Sequence, residues 1–326
     1  AIIFNKEKGL EESLYLNKAA VESELGEFKS SIKTNNNILK LNPYLYDAHD
    51  NSCLTMQKIG DFENLKKSYS FLYKQLKNSE EINSKNILLN KKLNNMTNMI
   101  GLIKNSGRTG SIFLHSLLDG HPEITTLPGV YLKGFFHPQV WEKLYIGNKN
   151  KNWREVLVKN FFTFYDALFD ANSLVDVPGK PMSGLPGPAS GLTSLGEDKD
   201  TVLKIDKISF SHHMLDYLED FDYMERSTFF KLIHLAYDSS IGRNTNPKLI
   251  FFHIHNPTFV ESAQFIKDFP SAKFLQIIRD PIKALESWCK VYNKESSFEK
   301  NNYHIANSSY HTKFSTVLNY FHNPIQ

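Results

Sequence analysis

The sequence predicts an α/β domain with a parallel sheet flanked by helices, preceded by an all-α helical array. In the first ~95 residues, apolar positions recur three and four apart, which is the spacing of one helix face. From Met99 onward, short apolar runs alternate with helical stretches, as in βαβ units that build a parallel sheet. This change of pattern predicts two domains, residues 1–97 and residues 98–326.

An internal repeat supports the helical array. The segment Gly26–Phe28 recurs as Gly60–Phe62, at an offset of 34 residues. That offset is the period of the tetratricopeptide repeat, which this part of the chain resembles. Glycine at each turn permits the left-handed backbone between two helices, and Pro43 is expected to start a helix. We also expect a capping helix over 84–98 and a protein partner bound through the repeats. An unrelated helical hairpin is the alternative.

Four apolar runs in the second domain have the character of buried strands. They are Met99–Ile103, Val202–Ile205, Leu249–His253 and Lys273–Ile278. Helical stretches separate these runs, and the prolines and glycines of 178–196 predict a long loop. The second domain is therefore expected to be a sheet whose strands are joined by helices.

Composition restricts the classes of function. Hydrophobic residues make up 41% and charged residues 22%, as in an ordinary soluble globular protein. The net charge of +3 is too small to predict a nucleic-acid partner. No run of 18 apolar residues occurs, so no membrane span is predicted. Two cysteines, Cys53 and Cys289, and the lack of a signal peptide favour a cytoplasmic location.

A glycine-containing loop stands between the first predicted strand and a helix, within Ile100–Leu114. Such a loop directs backbone N–H groups and the positive end of a helix at one spot, where a phosphate can bind. The loop is nearly a Walker A motif. However, five residues separate Gly101 from Gly107, and Arg108 stands where the motif requires Lys. An ATPase or GTPase is therefore the weaker interpretation.

The stretch Arg108–Ile112, followed by Leu117–Pro122, resembles a loop of sulfotransferases that use 3′-phosphoadenosine-5′-phosphosulfate (PAPS). The stretch is most similar to the motif of the tyrosylprotein and bacterial tetratricopeptide-linked members. There, Arg-Ser-Gly-Thr-Thr precedes a helix that ends near His-Pro. The resemblance implies that the 5′-phosphosulfate is bound by Ser106, Gly107, Arg108, Thr109, Gly110, Ser111 and Ile112. It also implies a P-loop-type parallel sheet.

A second motif follows about 170 residues later. The predicted strand near Lys273 ends in Arg-Asp-Pro, and Ser287 follows Arg279 by eight residues. In the sulfotransferases, an Arg at a strand end and a Ser eight residues later hold the 3′-phosphate of the donor. The resemblance therefore assigns this phosphate to Arg279 and Ser287. The planar guanidinium suits a phosphate, and Pro281 is expected to open the helix that carries the serine.

One nucleotide must reach both motifs. We therefore expect Met99–Ile103 and Lys273–Ile278 to be neighbouring parallel strands, with Arg108 and Ser287 facing one pocket.

Candidates for the chemical step are Arg108 and His255. Arg108 is the natural cation for the leaving phosphate. His255 aligns with a Lys of related enzymes and is expected to contact the sulfate or act as a base. A histidine that is only hydrogen-bonded at a strand end is the alternative. Tyrosylprotein sulfotransferases carry a Glu base where this chain reads Thr125–Tyr131, without a carboxylate. His121 is expected to cap or pack the helix end.

The resemblance implies an enzyme that transfers a sulfuryl group from PAPS to a hydroxyl or amine. The product would be 3′-phosphoadenosine-5′-phosphate (PAP), and no metal is expected. The acceptor stays open between a peptide, a carbohydrate and a small metabolite. Two alternatives are a tetratricopeptide scaffold with an inactive nucleotide-binding domain and a P-loop kinase or NTPase. Because family members continue beyond Tyr310–Asn323 and the chain lacks an initial Met, we interpret it as incomplete at both ends.

Overall fold

The computed structural model describes residues 2–78, 93, 98–104, 109–129, 131–149, 151–172, 192–243, 247–255, 257–280, 282–284 and 287. The chain divides into two compact units. One comprises Ala1–Glu81, Thr258–Ala263 and Arg279–Gln326, and the other comprises Ile82–Pro257 and Gln264–Ile278. The first unit is helical over most of its described residues, and the second contains a parallel sheet with its helices. The α/β class with a helical array in front is therefore confirmed.

The helical unit begins with four consecutive helices. They are α1 (Ile2–Glu24), α2 (Phe28–Leu41), α3 (Tyr46–Ile59) and α4 (Phe62–Asn78). Apolar residues at helical spacing form the contacts between them, and Ile38 and Ala48 are buried at one such contact. A second cluster combines Leu72 and Leu76 of α4 with Val260.

The two turns of this array have the same backbone geometry. Gly26 and Gly60 both adopt left-handed φ angles, of 82° and 72°. At the second turn, the amide of Gly60 bonds to the carbonyl of Gln57 at 3.2 Å, and the amide of Asp61 to that of Met56 at 2.9 Å. The same pair of bonds surrounds Gly26, so both helices end in a Schellman motif. The 34-residue period is thus a repeat of structure, and its assignment to the tetratricopeptide class stays a prediction.

Asp50 of α3 caps a helix that lies far along the chain. Its Oδ1 accepts the backbone N–H of Val260 at 3.0 Å, in the first turn of α10 (Phe259–Asp268). The hydroxyl of Thr258 and the amide of Phe259 also hydrogen-bond to this carboxylate. Burial outweighs these bonds and raises the pKa of Asp50 to about 7. A long-range helix cap in the helical unit therefore titrates near neutral pH.

The second unit is built on a four-stranded sheet in the order β2-β3-β1-β4. The strands are β1 (Asn98–Lys104), β2 (Ile124–Thr125), β3 (Leu249–His255) and β4 (Lys273–Gln276). All three pairings are parallel. The prediction that Met99–Ile103 and Lys273–Ile278 are neighbouring parallel strands is confirmed, because β1 lies between β3 and β4.

Helices and aromatic side chains cover this sheet. The helices are α5 (Ser111–Leu118), α6 (Pro138–Leu144), α7 (Trp153–Tyr165), α8 (Lys207–Leu218) and α9 (Arg226–Ser240), with a 3₁₀ turn at Asp166–Leu168. Phe252 of β3 contacts Phe136, Phe230 and Phe265 at centroid distances of 5.0–5.8 Å. Phe136 lies in the turn before α6, and the other two rings come from helices. Aromatic packing of this kind stabilises a core beyond the area it buries.

Two predicted features differ from the structure, and a third lies mostly outside the described residues. Val202–Ile205 was expected to be a buried strand, but it contributes only an isolated bridge between Lys204 and Asp170. Its backbone bonds to Phe169, Ala171 and Leu192, which lie in two separate short segments, so no continuous ladder forms. Pro43 lies in a turn, and α3 begins three residues later at Tyr46. Most of the expected capping helix over 84–98 lies outside the described residues, and Asn98 already belongs to β1.

The cap at Asp50 predicts a pH-dependent stability. The folded state holds the proton more tightly than the unfolded state, in which an Asp pKa is about 3.9. The free energy of unfolding should therefore fall as the pH rises from about 4 to about 7, by up to about 1.4 kcal/mol per pH unit. Asp50→Asn keeps an oxygen acceptor but removes the titration, so this slope should flatten in urea unfolding measured across that range.

The control is Asp47→Asn, since Asp47 is exposed on the same helix. That variant should keep the slope of the wild-type protein. If Asp50→Asn also keeps it, the carboxyl of Asp50 does not contribute to the pH dependence.

Candidate functional site

The carboxyl ends of three strands meet at one edge of the sheet. β1 ends at Lys104, which is the register partner of His255, the last residue of β3. On the other side of β1, Ile103 is paired with Gln276, where β4 ends. In open α/β sheets this edge is where ligands bind. His255 therefore lies at a strand end, as the sequence predicted, beside the last residue of β1.

The loop between β1 and α5 carries most of the predicted donor-binding residues. Ser106, Gly107 and Arg108 lie outside the described residues. Thr109 is half-buried, and Ser111 is buried with 3% of its surface exposed. Ile112 is exposed. The structure thus places the second half of the predicted loop directly on the start of α5.

Gly110 sets how α5 begins. Its φ of 91° and ψ of 12° lie in the left-handed region, and no side chain caps the helix behind it. A Cβ at this position would meet no atom within 4 Å, so backbone conformation rather than space explains the glycine. The amide of Leu114 bonds to the carbonyl of Gly110 at 3.0 Å, which opens the helix. The N–H groups of the first turn have no partner within the helix and can bind an anion.

At position 101, close packing rather than backbone conformation explains the glycine. It lies inside β1, paired with Phe252 and Phe274. A Cβ on Gly101 would approach Cδ1 of Ile254 to 3.0 Å, so close packing favours glycine here. The first glycine of a Walker A motif belongs to the phosphate loop after the strand. Gly101 is not in that loop, which weakens the interpretation as an NTPase.

Arg279 and Ser287 follow β4. Arg279 is exposed and comes three residues after Gln276. The side chain of Asp280 accepts the amide of Lys283 at 2.9 Å and caps a helical turn at 282–284. Ser287 is helical and half-buried. A helix thus follows the Arg-Asp-Pro motif, although Pro281 lies outside the described residues. Arg279 and Ser287 group with the helical unit, and Thr109–Ile112 and His255 with the sheet unit.

Histidines line one face of β3. Alternate residues of this strand, Phe251, His253 and His255, share a face, and the ring of His115 from α5 contacts the first two at 5.8 Å. The rings of His253 and His255 are also 5.8 Å apart, at an angle of 69°. His253 is fully buried and His255 is half-buried. A row of three imidazoles therefore leads from α5 to the carboxyl edge of the sheet.

Hydrogen bonds continue this row into the core. Nε2 of His115 lies 2.7 Å from Oγ1 of Thr126, which donates to the carbonyl of Phe251 at 2.7 Å. The hydroxyl of Tyr131 lies 3.0 Å from the same carbonyl and 3.1 Å from Nε2 of His234. Desolvation by burial lowers the pKa of His115 and lowers that of His234 to about 4. Both imidazoles are therefore neutral at physiological pH.

Sequence reasoning missed His115, Thr126, Tyr131, His234 and His253. A signal for the first existed. Ser111 and His115 stand four residues apart in a mostly apolar helix, and these two polar residues are buried while Phe113 and Leu117 are exposed. Such inverted burial marks a polar helix face that is turned toward a sheet. The spacing of His253 and His255 also indicates one face of a strand.

Nδ1 of His121 accepts the amide of Glu123 at 3.1 Å, which closes the turn after α5, and the side chain of His121 is exposed. Among the described residues, no group of three or more His, Cys, Asp and Glu side chains is placed to hold a metal ion. In the same part of the chain, no helix combines the length and the apolar character needed to cross a bilayer.

Comparison with known proteins adds no assignment. No protein-family model, no curated protein and no solved structure matches this chain.

The left-handed cap of α5 predicts a matched pair of variants. Gly110 and Gly120 both have positive φ, of 91° and 84°, and at each of them a Cβ would have no atom within 4 Å. Gly110→Ala and Gly120→Ala should each lower the free energy of unfolding by about 1–2 kcal/mol, because an L-residue is strained there. Only Gly110→Ala should also weaken the binding of PAP in calorimetry, since Gly120 lies at the other end of α5. If Gly110→Ala and Gly120→Ala weaken PAP binding equally, Gly110 has no specific role in binding the anion.

Proposed function

We propose that this chain is a sulfotransferase that takes the sulfuryl group of PAPS and transfers it to a hydroxyl or an amine. The observation that carries this proposal is the strand–loop–helix at the centre of the sheet. β1 leads within six residues to α5, which starts at a left-handed Gly110 with no side-chain cap. Uncapped amides at the start of a helix and at the carboxyl edge of a parallel sheet favour a phosphate or phosphosulfate.

Two groups of residues would hold the two ends of the donor. Ser106–Ile112 would wrap the 5′-phosphosulfate, and Arg108 would counter the negative charge that develops on the leaving phosphate. Arg279 and Ser287 would hold the 3′-phosphate, as the Arg-Asp-Pro motif and the eight-residue spacing suggest. The assignment of the 3′-phosphate rests on the sequence, and that of the 5′-phosphosulfate on both sequence and fold.

The chemical step requires a base on the acceptor side. A bond forms between the acceptor oxygen or nitrogen and sulfur, while the bond from sulfur to the 5′-phosphate oxygen breaks and the phosphate keeps the electron pair. The acceptor loses a proton, and His255 would take it. Three observations support His255 in this role: it ends β3, it is half-buried rather than enclosed, and it is the register partner of the last residue of β1.

Binding of the product PAP tests the donor assignment. Calorimetry should show PAP binding to the wild-type protein and much weaker binding of ATP, which lacks a 3′-phosphate. Tight ATP binding without PAP binding would favour the kinase or NTPase interpretation. PAP binding without sulfate transfer to peptide, carbohydrate or small-molecule acceptors would favour the inactive scaffold.

A single substitution tests whether Arg279 binds the 3′-phosphate. Arg279→Ala should weaken PAP binding by about 10- to 100-fold, which corresponds to a lost charge-assisted contact of about 1.5–3 kcal/mol. Binding of adenosine 5′-phosphosulfate, which lacks the 3′-phosphate, should be nearly unchanged. Lys283→Ala removes another exposed cation four residues away and should affect neither ligand. Equal losses for both ligands in Arg279→Ala would contradict the assignment.

A further inference from the structure

His255 is the outer member of a connected row of polar side chains. The row runs from His234 on α9 through Tyr131, the carbonyl of Phe251 and Thr126 to His115 on α5. Ring contacts then lead from His115 through His253 to His255. Every member before His255 is buried, with 4% or less of its surface exposed. A polar row enclosed in the core and ending at the site needs a physical explanation.

The hydrogen atoms of this row have a defined direction. Nδ1 of His234 lies 2.8 Å from the carbonyl of Phe230, which can only accept, so Nδ1 carries a hydrogen. In neutral His234, Nε2 is then an acceptor, so the single hydrogen of the Tyr131 hydroxyl is shared between this nitrogen and the carbonyl of Phe251. The same carbonyl also accepts the hydroxyl of Thr126. Thr126 in turn accepts from Nε2 of His115, so the row fixes both the ring plane and the tautomer of His115.

We propose that Thr126 and His115 are positioning residues that set the orientation of the His255 imidazole through the ring of His253. The role of His255 as base rests on the proposed function, whereas the coupling itself rests on the contacts. His115 meets His253 edge to face at 85°, and His253 meets His255 at 69°. A ring held by edge-to-face contacts on a strand cannot rotate unless its neighbour also moves.

Burial, rather than the charges around the row, keeps the imidazoles of His115 and His234 neutral. Desolvation is the main influence on His115, and the carboxylate of Asp119 on the same side opposes it. Asp238 of α9 and Asp119 also act on Tyr131, while His234 faces the same hydroxyl. Arg243 pairs with both carboxylates, at 3.2 Å and 3.5 Å. This pairing moderates the negative charge near the buried histidines. The row therefore orients His255 rather than storing a proton.

In the transfer step, orientation decides where the proton goes. The acceptor gives its proton to a ring nitrogen of His255 as its oxygen bonds to sulfur, and PAP leaves with the electron pair of the broken bond. A base that points away from the acceptor loses much of the about 10²–10⁴-fold that positioned proton transfer contributes.

Two neighbouring threonines provide the test. Thr126→Val removes the hydroxyl that holds His115 and keeps the volume of the side chain nearly constant. Thr125→Val removes the hydroxyl of an adjacent, fully buried threonine, whose Oγ1 has no hydrogen-bond partner among the described residues. Thr126→Ser keeps the hydroxyl and should therefore keep the activity that Thr126→Val loses. We expect Thr126→Val to lower kcat about 10-fold with the PAP dissociation constant unchanged. Thr125→Val and Thr126→Ser should stay near wild type.

A second measurement works without turnover. In protein labelled with ¹⁵N-histidine, the imidazole signals of His255 should move in Thr126→Val, because the ring contacts that reach His255 through His253 change. The signals should stay unchanged in Thr125→Val. If the His255 signals are identical in Thr126→Val and the wild-type protein, there is no coupling and the positioning role is wrong. If the signals move but the wild-type protein transfers no sulfate, the coupling stands and the proposed function fails.

Discussion

The pairing of β1 with β3 on one side and β4 on the other is the constraint on which the arrangement of the second unit depends. Parallel pairing brings the carboxyl ends of all three strands to one edge. The loop into α5, the side chain of His255 and the segment that leads to Arg279 therefore all start from that edge. Gly101 makes the central position of β1 possible, since its missing side chain leaves room for Ile254.

The sequence predicted the parts of this arrangement that depend on continuous apolar runs. β1 and β3 were found because buried parallel strands are apolar on both faces. β4 was found from its short apolar run, although the prediction that it is buried is wrong, because three of its four residues are exposed. β2 was missed because two residues leave no pattern, and Val202–Ile205 was mistaken for a strand because a short apolar run looks alike in a strand and in a packed loop. Strand order and register depend on contacts between distant segments, which no local pattern records.

The candidate site divides in the same way. The left-handed Gly110 and the strand-end position of His255 could be predicted, because each follows from residues next to it in the chain. The row behind His255 could not, because Thr126 reaches Phe251 across 125 residues and Tyr131 reaches His234 across 103. Only the fold brings these polar groups together. Asp50 is a similar case, since its partner Val260 is 210 residues away.

Polar groups buried beside a central strand would destabilise the fold unless they were paired. In β3 the apolar face, with Phe252 and Ile254, packs into the aromatic core, while the opposite face turns His253 and His255 toward α5. An apolar residue at His115 or Thr126 would fill the same space with less risk to stability. The polar row is therefore best explained by a role in supporting His255, which is its outer member. In the proposed role, hydrogen bonds fix the ring plane of His115, and the ring contacts through His253 pass that orientation to the half-buried imidazole of His255 at the edge of the sheet.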